Sequence, residues 1–256
     1  MPRTDFSDQR GQSEIIGAVL LIAIVLLTIS AAAFGGFGGF QSAKTGIDIQ
    51  MVEQDMNRLS GAVYDVAFGN ANVRTVGLNL QTADNEGSTL VRPQTGRIEI
   101  AVGGTTIHQG YFGAVEYENE QTYVAYQGGG VWRKGVNGAS MVDAPEFSNN
   151  DYSTPTLTIP IISVNGNATL NSGATVMAGS ESSKYSQLKV ATDETATITI
   201  QSRYYEAWAR YFTDNLNIPE SDVTTTPETQ TVTVTYGEGT EAYLHVTEYQ
   251  VTVDEN

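Results

Sequence analysis

Ile15 to Phe34 is an unbroken apolar run, Ile-Ile-Gly-Ala-Val-Leu-Leu-Ile-Ala-Ile-Val-Leu-Leu-Thr-Ile-Ser-Ala-Ala-Ala-Phe, and it carries no charge. As a helix it spans about 30 Å, the thickness of a bilayer's hydrocarbon. A segment like this must lie in lipid or among other apolar helices, and that limits the rest of the chain to what such a segment can carry. It does not read as a secretory signal peptide, whose apolar core runs ~7–15 residues and ends at a small-x-small cleavage site. Here the small residue, Gly11, precedes the run. A cut at that point removes a short polar leader, residues 1–11, and leaves the apolar helix on the mature chain.

The residues before the run are Arg10-Gly11-Gln12-Ser13-Glu14. This arrangement resembles the class III signal of type IV pilins and archaellins, and Ser13-Glu14-Ile15-Ile16-Gly17 resembles the opening of haloarchaeal pilin helices. The resemblance covers roughly residues 8–40. It implies that a membrane prepilin peptidase cuts after Gly11, so that Gln12 becomes the first residue. Glu14 is then the third mature residue, whereas bacterial pilins carry their helix glutamate fifth. Its implied role is to pair with a neighbouring subunit's amino terminus, since a carboxylate at the mouth of an apolar span is costly without a partner. The competing expectation is a plain single-span anchor.

Charge agrees with this resemblance. The chain has 29 acidic and 13 basic residues, a net charge of -16 and only four lysines, Lys44, Lys134, Lys184 and Lys189. A dispersed acidic surface keeps a protein soluble where salt screens repulsion, and the composition resembles that of proteins from salt-loving archaea. Duplex nucleic acid is not an expected partner, because binding it needs clustered Lys and Arg. The chain has no cysteine, which removes disulfides, thiolate metal sites and lipidated cysteine anchors. Arg3 and Arg10 precede the span, while Asp48, Glu53 and Asp55 follow it closely. The positive-inside bias therefore puts the N-terminus in the cytoplasm and the bulk of the chain outside.

The expected helix continues past Gly35-Gly36-Phe37-Gly38-Gly39-Phe40. Ala31, Gly35 and Gly39 fall four apart and form either a groove for a neighbouring helix or a loosened hinge. Ile49, Val52, Met56, Leu59 and Val63 then form an apolar seam at heptad period, expected mainly to dock on the protein's own sheet. Asp55 and Arg58 can pair one turn apart on the exposed side, and Gly69-Asn70 is the expected stop. Residues 12–40 thus read as a transmembrane or filament-core helix, and 41–69 as its amphipathic continuation.

From residue 70 to 256 the texture is that of an extracellular β-rich head. Expected strands are Val73–Leu80, Arg97–Val102, Ala114–Glu118, Thr122–Tyr126, Thr156–Val164, Thr195–Gln201, Thr229–Tyr236 and Glu241–Val253. Gly237-Glu238-Gly239 suggests a hairpin between the last two. The stretches from Gly128 to Asp151 and from Asn165 to Ser183 read as Gly/Ser/Asn-rich loops. One helix interrupts, Arg203 to Phe212 ending near Asn215, with Tyr204, Trp208, Tyr211 and Phe212 on one face as core. The fold class expected is α+β: a long hydrophobic helical spine, then a mainly antiparallel β head with one short aromatic helix.

Chemistry is sparse. No phosphate-cradling loop, nucleophile elbow or zinc-binding helix motif is present, so no catalytic residue, resident metal or cofactor is expected. His108 and His245 sit on expected strands as surface or half-buried residues. Glu116, Glu118 and Glu120 alternate; they could hold a hard cation, but a solvated face is the better reading. Asn167-Ala168-Thr169 is an N-glycosylation sequon or an ordinary turn. The leading expectation is a pilin-like subunit with other pilin-like subunits, the membrane and the peptidase as partners, and a glycan or other cell-surface ligand for its head. The rival is an anchored surface protein that never polymerises.

Overall fold

A computed structural model describes residues 48–78, 87–119, 122–150, 154–179, 184–191 and 193–256. The expectations for residues 1–11 and 12–40, for the first residues of the 41–69 segment and for Glu120 lie outside the described residues. Gly11, Gln12, Glu14, Ala31, Gly35 and Gly39 are among them.

The described chain opens with helix α1, over 48–67. Its heptad seam is buried throughout: Val52, Met56, Leu59 and Val63 are inaccessible and Ile49 nearly so. These side chains share one core with Val115, Tyr117 and Val124 of the β region, so the seam docks on the protein's own sheet. Polar contacts flank the seam, with Glu53 3.0 Å from Arg133 and Ser60 Oγ donating to Asp143 at 3.3 Å. Asp55 and Arg58 pair at 2.9 Å, but Asp55 is only 2% exposed, which corrects the expectation of an exposed pair. The last helical bond runs from Phe68 N to Tyr64 O. A Cβ at Gly69 would come within 2.3 Å of the Asp65 carbonyl oxygen, so the chain leaves the helix where only glycine fits.

The rest is mostly antiparallel sheet, in three sheets whose strands are numbered in chain order. The first runs β1 (Val73–Gly77), β12 (Gly173–Ala178), β17 (Ala242–Glu255), β10 (Thr156–Asn165) and β9 (Ser148–Asn150), with β13 (Lys184–Val190) also paired to β17. The second runs β11 (Thr169–Leu170), β2 (Ser88–Arg92), β5 (Ala114–Glu118), β6 (Tyr123–Gln127), β7 (Gly130–Gly135) and β8 (Gly138–Asp143). The third runs β15 (Val223–Thr226), β16 (Thr231–Tyr236), β14 (Ala196–Gln201), β3 (Arg97–Val102) and β4 (Thr105–Tyr111).

β10 and β17 pair in parallel from Thr156 opposite Tyr243 to Asn165 opposite Thr252, and each changes its buried face midway. Leu157, Ile159 and Ile161 enter one core, together with Leu244 and Val246; Ile162 and Val164 enter the other, together with Val251 and Val253. Successive side chains point to opposite faces of a strand, so the two cores lie on opposite faces of this pair. Pro160 sits between them without breaking a ladder. Val164 N donates away from β17, to Phe112 O, and Pro160 shares its parity. β9 covers β10 only over Thr156–Thr158, so the absent N–H of Pro160 faces an unpaired edge.

The first core contains the aromatic helix. α2 (Tyr205–Arg210) continues into a wider π-type turn, Tyr211–Asn215, closed by Leu216 N donating to Tyr211 O at 3.2 Å. Tyr204, Trp208, Tyr211 and Phe212 are all buried, as their shared face implies. Trp208 stacks on Phe112 at 5.6 Å and lies 4.3 Å from Trp132.

Several expectations fail. Gly237-Glu238-Gly239 is a tight turn but makes no hairpin: β16 pairs with β14 and β15, whereas β17 pairs with β10, β12 and β13, so the turn carries the chain from one sheet to another. The supposed loops hold β7, β8 and β9 between Gly128 and Asp151, and β11 and β12 between Asn165 and Ser183. The strand expected at Thr122–Tyr126 is Tyr123–Gln127.

Candidate functional site

A cleft of about 320 Å³ opens between the second and third sheets. One wall is the connection from β2 to β3, Arg92-Pro93-Gln94-Thr95-Gly96-Arg97. Thr95 Oγ1 donates to Arg92 O at 3.0 Å, and Phe112 N and Gly113 N donate to Gly96 O and Thr95 O. Gly96 takes a positive φ of 64°, and a Cβ there would lie 2.5 Å from the Gln127 amide. The opposite wall is the exit of β14 into α2. Ser202 N donates to Gln230 O, Ser202 Oγ donates to Gln127 Oε1 at 2.6 Å, and Tyr204 N donates to Ser202 Oγ. Ser202 is therefore tied into the frame of the cleft.

Three of the chain's thirteen basic residues, Arg92, Arg97 and Arg203, line this cleft, and the first and last of them meet one buried carboxylate, Glu116. Glu116 Oε1 is 3.2 Å from Arg92 Nε and 3.3 Å from Arg203 Nη1, and Glu116 Oε2 accepts from Tyr204 Oη at 2.8 Å. Arg92 also reaches Glu118 at 2.9 Å, and Arg97 reaches Glu99 at 3.1 Å. The Arg203 guanidinium lies over the Tyr123 ring, 3.7 Å from its centroid. Burial, reinforced by the Glu116 charge, raises the Tyr204 phenol well above its ordinary range and keeps it a donor.

The glutamates expected to form a solvated face thus split. Glu116 is buried in an arginine network and Glu118 sits at its rim, because the arginines of β2 and of the β14–α2 corner come across to meet them. Among the described residues no group of acidic or histidine side chains is placed to hold a metal ion. His108 and His245 are both half-buried, on β4 and β17. Asn167 is exposed in the short loop between β10 and β11. That loop is pinned on both sides: Val91 N donates to Ala168 O, and Gly166, at φ 131°, lies so close to Val253 O that a Cβ would meet it at 2.2 Å. The arginine cleft itself is not evident from the sequence. Its members come from the β2–β3 connection, from β5 and from the β14–α2 corner, and the only local signal is two arginines bracketing a Pro-x-x-Gly turn.

The described residues define a β-rich domain of three sheets, carrying a docked amphipathic helix at its N-terminal side and an arginine-lined cleft. Among them no helix is long and apolar enough to cross a membrane. The chain belongs to a family of unknown function, DUF7289, which matches residues 10–254. No curated protein and no solved structure matches it.

Proposed function

We propose that this protein is a pilin-like subunit of an archaeal type IV filament or cell-surface system, trimmed by a prepilin peptidase after Gly11. The observation that carries the reading is the sequence Arg10-Gly11-Gln12-Ser13-Glu14 set directly before the uncharged run Ile15–Phe34. The run holds the subunit in the membrane as a single span, then packs against neighbouring apolar helices along Ala31, Gly35 and Gly39. Assembly exchanges lipid contacts for helix contacts and so calls for a motor in place of catalysis. One further observation supports it. The seam of α1 lies on the β domain, as a head carried by a helical spine requires.

The mature N-terminus tests this. Protein recovered from cell surfaces should begin at Gln12, and Gly11→Trp should leave the leader uncut. An intact Met1 or Pro2 on surface material overturns the reading. The arginine cleft supports a second reading, a single-span surface protein that binds without polymerising; immunolabelling of sheared filaments separates the two.

A further inference from the structure

Arg92 and Arg203 share one oxygen of one buried carboxylate, so two positive charges meet a single enclosed negative one. Arg97 adds a third guanidinium to the lining. Glu118 and Glu99, the other acidic partners, have side chains 38% exposed, where water screens them far more than it screens Glu116. A guanidinium offers five N–H donors in one plane. Stacking on Tyr123 fixes one face of Arg203 and leaves the edge of its fork as the side from which an acceptor approaches. On a chain of net charge -16, the lining of this cleft sets three guanidinium groups against one carboxylate.

The remaining lining narrows the ligand. It includes no aliphatic side chain, which disfavours lipid and other apolar ligands. Gln94, Gln201 and Gln230 are exposed at the cleft, and their amides offer the paired donors and acceptors that hydroxyl groups use. Tyr111 is 49% exposed there and presents a ring against which the C–H face of a sugar can lie. The volume falls at the small end of ligand pockets, about 300–1,000 Å³. A polyanion would meet repulsion from the acidic surface, whereas a singly charged ligand matches the modest excess in the cleft.

We propose that this cleft binds an anionic saccharide, a sugar ring bearing a carboxylate or a sulfate. The anion sits on the guanidinium groups of Arg92, Arg97 and Arg203, and the ring lies against Tyr111 and the glutamine amides. This names the ligand class for the display role proposed above and rests on that reading only for presentation of the head at the cell surface. Loss of binding would leave the processing site at Gly11 untouched, so the two fail separately.

The test is calorimetric titration of the full chain in detergent with glucuronate, glucose 6-sulfate, glucose and inorganic sulfate. At least one acid sugar should bind, and glucose and inorganic sulfate should each bind about tenfold more weakly than it or worse; the tighter of the two acid sugars identifies the substituent. Arg97→Gln alters a half-buried side chain whose partner Glu99 is solvent-screened and Tyr111→Ala an exposed one, and both should stay close to the wild-type Tm while weakening acid-sugar binding about tenfold. Arg203→Lys keeps the charge but loses the planar fork and should also weaken binding. Glucose binding as tightly as the acid sugars, inorganic sulfate matching them, no binding by either acid sugar, or full binding by Arg97→Gln would each overturn the proposal.

Discussion

The phenol of Tyr204 donates a 2.8 Å hydrogen bond to the Glu116 carboxylate, 88 residues away in the chain. It ties the start of the aromatic helix to the middle of the second sheet, and both partners are buried. Arg92 and Arg203 complete the shell around the same carboxylate. Tyr204→Phe removes one donor to a buried charged acceptor and should lower stability by about 1.5–3 kcal/mol, read from urea midpoints at constant m. A loss within 0.5 kcal/mol would mean that the arginines alone satisfy Glu116.

The α1 seam should behave as core. Leu59→Ala removes a fully buried side chain and should cost about 2–5 kcal/mol. Glu53→Gln breaks only the ion pair with Arg133, whose side chain is 47% exposed, and should cost about 1 kcal/mol or less. Equal effects from the two variants in thermal melts would argue against a docked seam.

Trp208 touches Phe112, Trp132, Phe147, Tyr211 and Phe212. Trp208→Ala should therefore cost about 3–5 kcal/mol. Tyr111→Ala, at an exposed site, should change stability by no more than about 0.5 kcal/mol. Denaturant titration of the pair measures the contrast.

Glu206 accepts from Lys134 Nζ and from Ala139 N, each at 2.9 Å, and these contacts, Lys134 first, hold its carboxyl below the ordinary 4.5. A depressed folded-state pKa contributes stability above pH 4.5 that is lost as the pH falls through the folded value. Wild type should exceed Glu206→Gln in Tm at pH 7, and the gap should narrow as the pH drops below 4.5. A gap that widens on acidification would contradict the contact.

Asn167 is exposed, so Asn167→Gln should leave stability within about 0.5 kcal/mol while abolishing any glycan mass at that site in protein from its native cells. Gly166→Ala should cost more, about 1–3 kcal/mol, because of its positive φ and the Val253 carbonyl behind it.

Much of the β-rich region was legible in the sequence because its signals are local. Arg97–Val102 and Ala114–Glu118 are strands at the expected boundaries, since alternation and β-branched content act within a few residues. The same holds for the α1 seam, where a heptad period permits only one buried face, and for the aromatic stripe of Tyr204, Trp208, Tyr211 and Phe212. Pairing is not local. The Gly237–Gly239 turn has hairpin chemistry, yet β17 joins another sheet because its long apolar alternation is satisfied by β10, β12 and β13. β8 and β12 are rich in glycine, alanine and serine, and become strands only because neighbours supply the ladder.

The amino-acid sequence by itself determined that the chain carries an uncharged apolar segment behind a Gly11 motif, an amphipathic helix and a β-rich remainder, since these follow from composition and period. Tertiary structure alone decided that β10 and β17 run in parallel between two cores, that Arg92 and Arg203 meet at Glu116, and that Arg97 joins them in one cleft. The reason is physical: a period tells each segment which face to bury, whereas the meeting of distant charges depends on which sheets those faces finally close against.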